Sequence, residues 1–471
     1  MLSLFGGDNK ASDFSQELFT TPTLRAPRCP PGRREGAASS RKTRATAATL
    51  NPRTGDARSA RHGSTQTPTH HNPETIITTI RHKLLTATVA SSISAVAGFA
   101  PAAHAADVTL YGSIDTGILF QRVDTDRAGE DARNNVKMNS SSHTPNRWGL
   151  KGAEDLGNGL AVGFNLEGQF GSDDGSMVNG RLFQRAAQVW LKSDAAGTFI
   201  VGRSGQLRSG LGTTGIFATK VAPFSLSFGE HMVGHKWLVP GLWASVDNAL
   251  TWQSPVFAGW QVHLQYSGQV DQVKASDYAV EFENSSDRLW GAALTYTGGP
   301  VHAVLIADSV MYSDEKADYD DNLTVSAAFT YDFGPWTLMT SAFWFQDAKG
   351  SNFLGHADMK DVWTKDAAGN ADPATYKGYA LQVGALIDAG GGTVKVNMGW
   401  MDAKVDKTYY GFDADQVLDA ERFGVAAANF YPLSKRTQVY AGAGWTKDKS
   451  SVVKGSDPSA WEAVSGLVVW F

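Results

Sequence analysis

The 471-residue sequence contains one cysteine, Cys29, and no long apolar run after residue 105. A single thiol excludes a disulfide framework and any metal site that needs several cysteine ligands. The missing apolar run excludes a protein that crosses a membrane with helices beyond residue 105, because each such helix needs about 18 consecutive apolar residues. A β-barrel stays open, since its strands expose apolar side chains on one face only.

Charge divides the chain into a basic first part and an acidic remainder. Residues 1–79 carry a net charge of +5, whereas residues 106–471 carry −12. The first 79 residues are rich in Arg, Ser, Thr, Pro and Ala and lack a sustained periodicity, so we expect them to be disordered. A basic tail that binds nucleic acid is the alternative interpretation. We predict no nucleic-acid partner, because the segment that follows gives this leader a simpler explanation.

Residues 80–105 have the three parts of a secretory signal peptide. A short basic region and an apolar stretch of small residues precede the pattern Ala-His-Ala, which ends at residue 105 and is typical of a cleavage site. A signal peptide must emerge first from the ribosome. We therefore expect translation to begin near residue 80 and residues 1–79 to be a misplaced start. The mature protein would then begin at Ala106.

From residue 107 the sequence alternates between apolar and polar residues. In the run VTLYGSIDTGI at residues 108–118, the even positions are mostly apolar and the odd positions carry Thr109, Ser113 and Asp115. A period of two is typical of a strand with one apolar and one polar face. Sixteen such runs are predicted, at about residues 107–121, 146–156, 160–171, 181–193, 197–204, 246–254, 259–269, 287–297, 300–311, 322–333, 335–346, 377–388, 393–403, 420–431, 436–446 and 461–471.

The connections between these runs are alternately short and long. The short ones are mostly rich in Gly, Asn and Pro, as in tight hairpins. This rhythm and the even number of strands favour a closed transmembrane barrel with turns at one end and loops at the other. A soluble β-sandwich would explain the alternation but neither the rhythm nor the signal peptide. The connection at 205–245 does not alternate, and we predict that it folds into the bore and sets its width.

Several motifs make residues 106–471 similar to the general trimeric diffusion porins of Gram-negative bacteria. The resemblance rests on the order of these motifs as well as on their letters. They are DVTLYGSIDTG at 107–117, NRWGLKGAEDLGNGL at 146–160, GTFIVGR at 197–203, DNALTWQSP at 247–255 and the terminal Phe471.

The resemblance implies an all-β fold, namely a 16-stranded antiparallel transmembrane β-barrel of the outer membrane whose third loop folds inward. It also implies a homotrimer that is surrounded by outer-membrane lipid and lipopolysaccharide. The C-terminal strand that ends in Phe471 resembles the signal that such proteins present to the barrel-assembly machinery. The implied function is passive diffusion of ions and small hydrophilic solutes, with no enzymatic activity and no cofactor.

Five basic residues of the early runs are candidates for the wall of the pore. Arg147 and Lys151 lie four residues apart in one predicted strand and therefore share a face. Arg181 and Arg185 repeat this spacing, and Arg203 ends the next predicted strand. A charge on the lipid-facing surface near mid-bilayer costs about 2–4 kcal/mol. We therefore expect all five to point inward as a cationic ladder.

The predicted inward loop departs from the family pattern in its charges. The resemblance implies acidic loop residues that face the ladder, but the loop's only carboxylate is that of Glu230. Its cations are Arg208, Lys220 and Lys236. We therefore predict a constriction with a weak preference for anions. The alternative is a porin that selects particular anions or sugars. Sugars would use the aromatic residues of the loop, which are Phe217, Phe224, Phe228 and Trp237.

Three further patterns suggest chemistry, and the context of each argues against it. GLGTTG at 210–215 fits the dinucleotide pattern G-x-G-x-x-G, but no amphipathic helix of sufficient length follows it. Glu230 and His231 with His235 suggest a zinc site, but the H-E-x-x-H order is missing and a solvated loop is favoured. A barrel hydrolase needs a Ser–His–Asp arrangement, which no motif indicates. We predict no catalytic, cofactor or metal site.

Overall fold

The computed structural model describes residues 108–126, 129, 131–273, 279–313, 320–349, 374–408, 420–450 and 457–471. The predicted N-terminal extension of residues 1–79 and the predicted signal peptide of residues 80–105 lie outside the described residues. Both therefore stay predictions.

The described part of the chain folds almost entirely into strands. Each strand alternates between exposed apolar and buried or polar side chains, as the sequence predicts. The strands are β1 (Thr109–Asp124), β2 (Arg133–Ser140), β3 (Arg147–Gly157), β4 (Leu160–Gln169), β5 (Ala186–Ser193), β6 (Gly197–Gly205), β7 (Ser245–Gln253), β8 (Trp260–Ser267), β9 (Arg288–Gly298), β10 (Val301–Met311), β11 (Leu323–Asp332), β12 (Trp336–Lys349), β13 (Ala374–Ala389), β14 (Gly392–Thr408), β15 (Ala420–Ser434), β16 (Thr437–Ser450) and β17 (Ser459–Trp470).

The strands close into a barrel. From β3 to β17 each strand pairs antiparallel with the next in the sequence. β17 then pairs with β1, from Ser113 opposite Trp470 to Asp124 opposite Ser459. The other edge of β1 is shared, because β3 pairs with its first part and β2 with its second part. β2 and β3 therefore occupy one strand position, and the predicted 16-stranded antiparallel barrel is confirmed.

Alternation along the strands separates an outer from an inner face. On β8, Leu264 is 46% exposed, whereas its neighbours His263 and Gln265 are buried. On β5, Val189 is exposed, and the adjacent inner residue, Gln188, is buried. An outer-membrane barrel has this arrangement, because lipid-facing positions are apolar while polar side chains line the interior. The alternation therefore fixes which side chains can contact a permeating solute.

Two local features differ from the sequence prediction. β2 lies between the predicted strands at 107–121 and 146–156, where the sequence analysis predicts a connection rather than a strand. The predicted strand at 181–193 begins only at Ala186, since a 3₁₀ turn at Val178–Gly180 precedes it. Arg181 and Arg185 therefore lie before β5, and the four-residue spacing does not place them on one strand face.

Helical structure is confined to short pieces. α1 (Ala218–Val221) and α2 (His235–Leu238) have four residues each and lie between β6 and β7. Among the described residues no helix has the length and apolar content needed to cross a membrane. Both helices lie in the long connection that the sequence analysis singles out.

Candidate functional site

The connection between β6 and β7, residues 206–244, is buried to a degree unusual for a loop. Connections normally run over the protein surface. Here Leu207 and Trp243, near its two ends, are 0% and 5% exposed. The aromatic residues between them are buried too: Phe217, Phe224, Phe228 and Trp237. These rings pack into the main apolar core of the molecule, so a solute cannot stack on them in this conformation.

Glycines on the inner face of β13–β16 let this connection, the 206–244 segment, approach the wall. A Cβ atom on Gly399 would lie 2.7 Å from Val233 Cγ2, and one on Gly444 would lie 2.6 Å from Met232 Cγ. Real Cβ atoms do not tolerate such contacts, so a larger residue would displace the segment. Three further glycines face the segment in the same way: Gly384 against Pro223, Gly424 against Val233 and Trp237, and Gly442 against Phe228.

A buried ion pair fixes the beginning of the segment to β10. Arg208 Nε lies 3.2 Å from Asp308 Oδ2, and neither side chain is exposed. Gln206 donates a hydrogen bond of 2.9 Å to the other oxygen of Asp308. The guanidinium carbon of Arg208 lies 4.4 Å from the ring centre of Trp243, at the other end of the segment. Burial lowers the pKa of Arg208, and the negative charge of Asp308 opposes that shift.

A second buried pair fixes the segment to β15 and β16. Arg422 donates hydrogen bonds of 2.7 and 2.8 Å to the two oxygens of Asp448. Its guanidinium carbon lies 3.9 Å from the ring centre of Trp237 in α2, and it also donates to the Trp237 carbonyl. Removing one partner of a buried ion pair leaves an uncompensated charge and costs about 3–5 kcal/mol. The two pairs therefore hold the segment at its beginning and at α2.

The middle of the segment is bound to β17. The backbone N–H groups of Glu230 and His231 donate to Glu462 Oε2, at 3.0 and 2.9 Å. Gln121 Nε2 lies 2.7 Å from a carboxylate oxygen of Glu230 and 2.7 Å from one of Glu462. Lys137 Nζ lies 2.7 Å from the other oxygen of Glu230. The only carboxylate of the segment is therefore already paired with a cation of the wall.

Further hydrogen bonds join the segment to strands between these anchors. Leu207 N donates to Gln265 of β8 at 3.2 Å, and Asn397 of β14 donates to the Val233 carbonyl at 3.1 Å. The ring of His235 lies 3.1 Å from the hydroxyl of Ser341 on β12. Burial and the charge of Arg208 lower the pKa of His235 to about 3. The segment thus bonds to wall strands from β8 to β17.

The basic residues predicted as a ladder fall into two groups. In the first group, Arg185 pairs with Glu167, and Arg147 Nε lies 3.9 Å from the same carboxylate. Tyr111 donates a hydrogen bond of 3.0 Å to Glu167, and Lys151 Nζ lies 5.3 Å from the Tyr111 ring centre. Arg185 is buried and Lys151 is exposed. In this group two arginines lie beside one acid, and Lys151 lies over the tyrosine that donates to that acid.

The second group is centred on Asp247 of β7. Arg181 Nη1 lies 2.9 Å from Asp247 Oδ2, and Arg203 also pairs with Asp247. Arg181 pairs with Asp271 as well, and Arg203 donates a hydrogen bond of 2.8 Å to the Gln184 carbonyl. Each of these cations thus has an acidic partner. Whether they line the bore stays a prediction.

The other sequence candidates are distributed along the segment. Lys220 lies in α1 and Lys236 in α2, and both are exposed. The glycine pattern at 210–215 is followed only by the four residues of α1, and the described strands contain no βαβ unit. His235 lies against Ser341 on β12, so it does not join Glu230 and His231. Glu462 lies beside them instead, which the sequence analysis did not anticipate.

A sequence model of Gram-negative porins matches residues 88–451. The chain belongs to the Gram-negative porin family. It is 30% identical over 377 residues to an outer membrane porin protein of Bordetella pertussis, covering 75% of this chain and 92% of that one. It is 28% identical over 374 residues to outer membrane porin protein 32 of Delftia acidovorans, covering 78% and 91%. This porin is therefore an outer-membrane protein, and its curated relatives are named as channels rather than enzymes.

Solved structures support the fold of this porin. The anion-selective porin from Comamonas acidovorans matches with a TM-score of 0.54 and 22% identity, covering 78% of this chain and 100% of that one. Outer-membrane expressed OmpT of Vibrio cholerae matches with a TM-score of 0.50 and 13% identity, covering 78% and 98%. At these identities the matches establish the barrel alone. The family, the localisation and the 16-stranded antiparallel barrel, all predicted from the sequence, are thus confirmed.

Proposed function

We propose that this porin lets ions and small hydrophilic solutes diffuse passively across the outer membrane, and that the 206–244 segment narrows its bore. One observation carries the proposal. The segment joins two adjacent strands, β6 and β7, yet it bonds to Asp308 on β10, Asn397 on β14 and Glu462 on β17. A connection between neighbours can reach the inner face of such distant strands by crossing the space that they enclose.

The anchoring of the segment supports a permanent constriction. Its apolar side chains occupy the space left by inner-face glycines, and its beginning and α2 are held by the Arg208–Asp308 and Arg422–Asp448 pairs. Packing of this density resists displacement, because protein interiors leave few voids into which a segment could move. The width of the pore is then set by the distance between the segment and the opposite wall.

Accessible charge favours anions as the preferred ions. Three buried inner-face acids, Glu167, Asp308 and Asp448, are each paired with an arginine. Lys151 and Lys220 are exposed, and no ion pair joins either of them to a carboxylate within the described residues. Charged side chains at the narrowest point of a pore set its ion selectivity. The anion-selective porin of Comamonas acidovorans is compatible with the same preference here.

Planar-bilayer recordings of the protein purified from outer membranes test this function. In a salt gradient we expect open channels with a reversal potential on the anion side. A cation-selective reversal potential would retain the diffusion channel and reject the interpretation of the charges. Folded protein without conductance would reject the channel itself and reopen the hydrolase alternative.

A porin that selects particular anions is the second candidate function. The exposed Lys151 beside the Tyr111 ring offers a charged and an aromatic contact to such a solute. A sugar-selective pore is less favoured, because the aromatic rings of the segment are buried against the wall. Block of chloride current by a small carboxylate, added at millimolar concentration, would favour the selective porin over general diffusion.

The implied assembly is part of the proposal. A homotrimer predicts that conductance appears in steps of three, and crosslinking of intact membranes would give a trimer band.

The C-terminal residue closes the barrel seam, since Phe471 and Gly112 exchange two backbone hydrogen bonds of 3.0 and 3.1 Å. Its ring remains 45% exposed on the outer face. This position suits contacts with lipid, with lipopolysaccharide and, during insertion, with the barrel-assembly machinery.

A further inference from the structure

Glu230, His231 and Glu462 form a compact group of metal-ligating side chains where the 206–244 segment meets β17. One carboxylate oxygen from each glutamate and one ring nitrogen of His231 lie within 4.8 Å of one another. His231 and Glu462 are 5% and 3% exposed, whereas the side chain of Glu230 is 37% exposed. The group therefore has a rigid, buried side and an accessible side.

Hydrogen bonds hold the two carboxylates in place. Glu462 is fixed by the backbone N–H groups of residues 230 and 231, which also sets the position of the histidine. Gln121 Nε2 contacts both carboxylates at 2.7 Å and so keeps them close together. Two carboxylates at this separation repel each other unless a cation compensates them. Lys137 Nζ, 2.7 Å from Glu230, supplies one positive charge.

We propose that this group binds a divalent transition-metal ion, with zinc as the representative. One imidazole nitrogen and two carboxylate oxygens form a donor set typical of zinc and related ions, whereas calcium and magnesium prefer oxygen ligands alone. Zinc–ligand bonds of about 2.0–2.2 Å place ligand atoms closer together than they lie here. The exposed side chain of Glu230 can supply part of this movement.

Charge balance favours a divalent ion over the lysine. When both carboxylates are ionised, they carry two negative charges, and Lys137 neutralises one of them. A divalent ion neutralises both, and the Lys137 side chain, 39% exposed, can turn into solvent when it is displaced. A bound ion would join the segment to β17 through three side chains. If the segment narrows the bore as proposed above, the ion also adds positive charge at that point.

Calorimetric titration of zinc chloride into the full protein in detergent, after removal of metals with EDTA, tests this site. We expect one binding event per chain. His231→Gln should weaken zinc binding by at least about tenfold, the lower end of what the loss of a supporting group costs. His302→Gln is the matched control, because His302 contacts Thr297 and takes no part in the group. It should bind zinc as the native protein does.

A second variant and a second measurement keep the test independent of folding and of conductance. Glu462 also accepts hydrogen bonds from two backbone N–H groups, so replacing it would disturb the fold. Glu230→Gln is therefore the second variant, and it should weaken zinc binding as His231→Gln does. Anomalous scattering at the zinc edge should place the ion between Glu230, His231 and Glu462. Equal zinc affinity in the native protein and His231→Gln, or an anomalous peak elsewhere, would overturn the site. Neither result would bear on the proposed diffusion function.

Discussion

The inner surface of the barrel differs between two regions. On β13–β16 many inner positions carry glycine or alanine, such as Gly399, Gly424 and Ala426, and apolar side chains of the 206–244 segment pack against this region. On β3 and β4 the inner positions carry polar and charged residues, such as Lys151 and Asn165. Alternation determines which way a side chain points. The size and polarity of the inner residues determine whether a second layer of chain can lie on the wall or an aqueous space remains.

The covered region should be the more sensitive to loss of charge. Arg422→Leu leaves Asp448 buried without its guanidinium partner, and we expect a loss of stability of about 3–5 kcal/mol. Lys449→Leu is the matched control, because Lys449 pairs with Glu421 at 3.0 Å on the outer, exposed face of the same two strands. An exposed pair is worth about 0–1 kcal/mol. Thermal unfolding in detergent measures both.

Equal losses of stability in Arg422→Leu and Lys449→Leu would contradict this prediction. The buried ion pair would then contribute no more to stability than the exposed one. The single-channel current gives a second reading. If Arg422 holds α2 against the wall, its loss should increase the current noise. The Lys449 variant should show the same current noise as the native channel.

Added volume should also affect the covered region strongly. Gly444→Leu places a side chain where Met232 lies, and we expect a cost of about 1–3 kcal/mol from overpacking. The displaced segment should move towards the opposite wall and lower the conductance. Ala443→Leu, one residue earlier on the exposed outer face, is the control. Unchanged conductance in Gly444→Leu, with native stability, would show that the segment does not depend on this contact.

Acid should weaken the attachment of the segment through His235. Its pKa in the folded protein is about 3, below its ordinary value of 6.5, because burial disfavours the charged ring. Between these values the unfolded chain binds a proton that the folded chain does not, so stability falls as the pH falls. The expected slope is about 1.4 kcal/mol per pH unit for this histidine. His235→Gln should remove it.

Melting temperatures of the native protein and His235→Gln, measured from pH 7 to pH 4, give the difference between their slopes. Carboxylates titrate in both proteins, so their contribution cancels in this comparison. Parallel curves would mean that His235 carries no more charge in the unfolded chain than in the folded one, against the burial that the structure shows.

The sequence predicts the barrel because alternation is a local property that each strand carries by itself. It does not predict the Arg208–Asp308 pair or the contact of Glu230 and His231 with Glu462. These contacts depend on which strands of a closed sheet face the segment, and residues more than 200 positions apart meet in the second case. The glycines of β13–β16 could have indicated the packing of the segment against these strands, since glycine at the inner positions of a strand indicates the close approach of another backbone segment.

The smallest expected effect concerns the open region. Arg147→Gln combined with Lys151→Gln removes one cation beside Glu167 and one over the Tyr111 ring, while Arg185 still pairs with Glu167. Stability should therefore change little, and the reversal potential in a salt gradient should move towards the cation side. Lys449→Gln removes one charge from the outer face and should leave the potential unchanged. If Lys449→Gln shifts the potential by half as much as the double variant, in proportion to the charge removed, the overall charge of the protein rather than the position of its cations sets the selectivity.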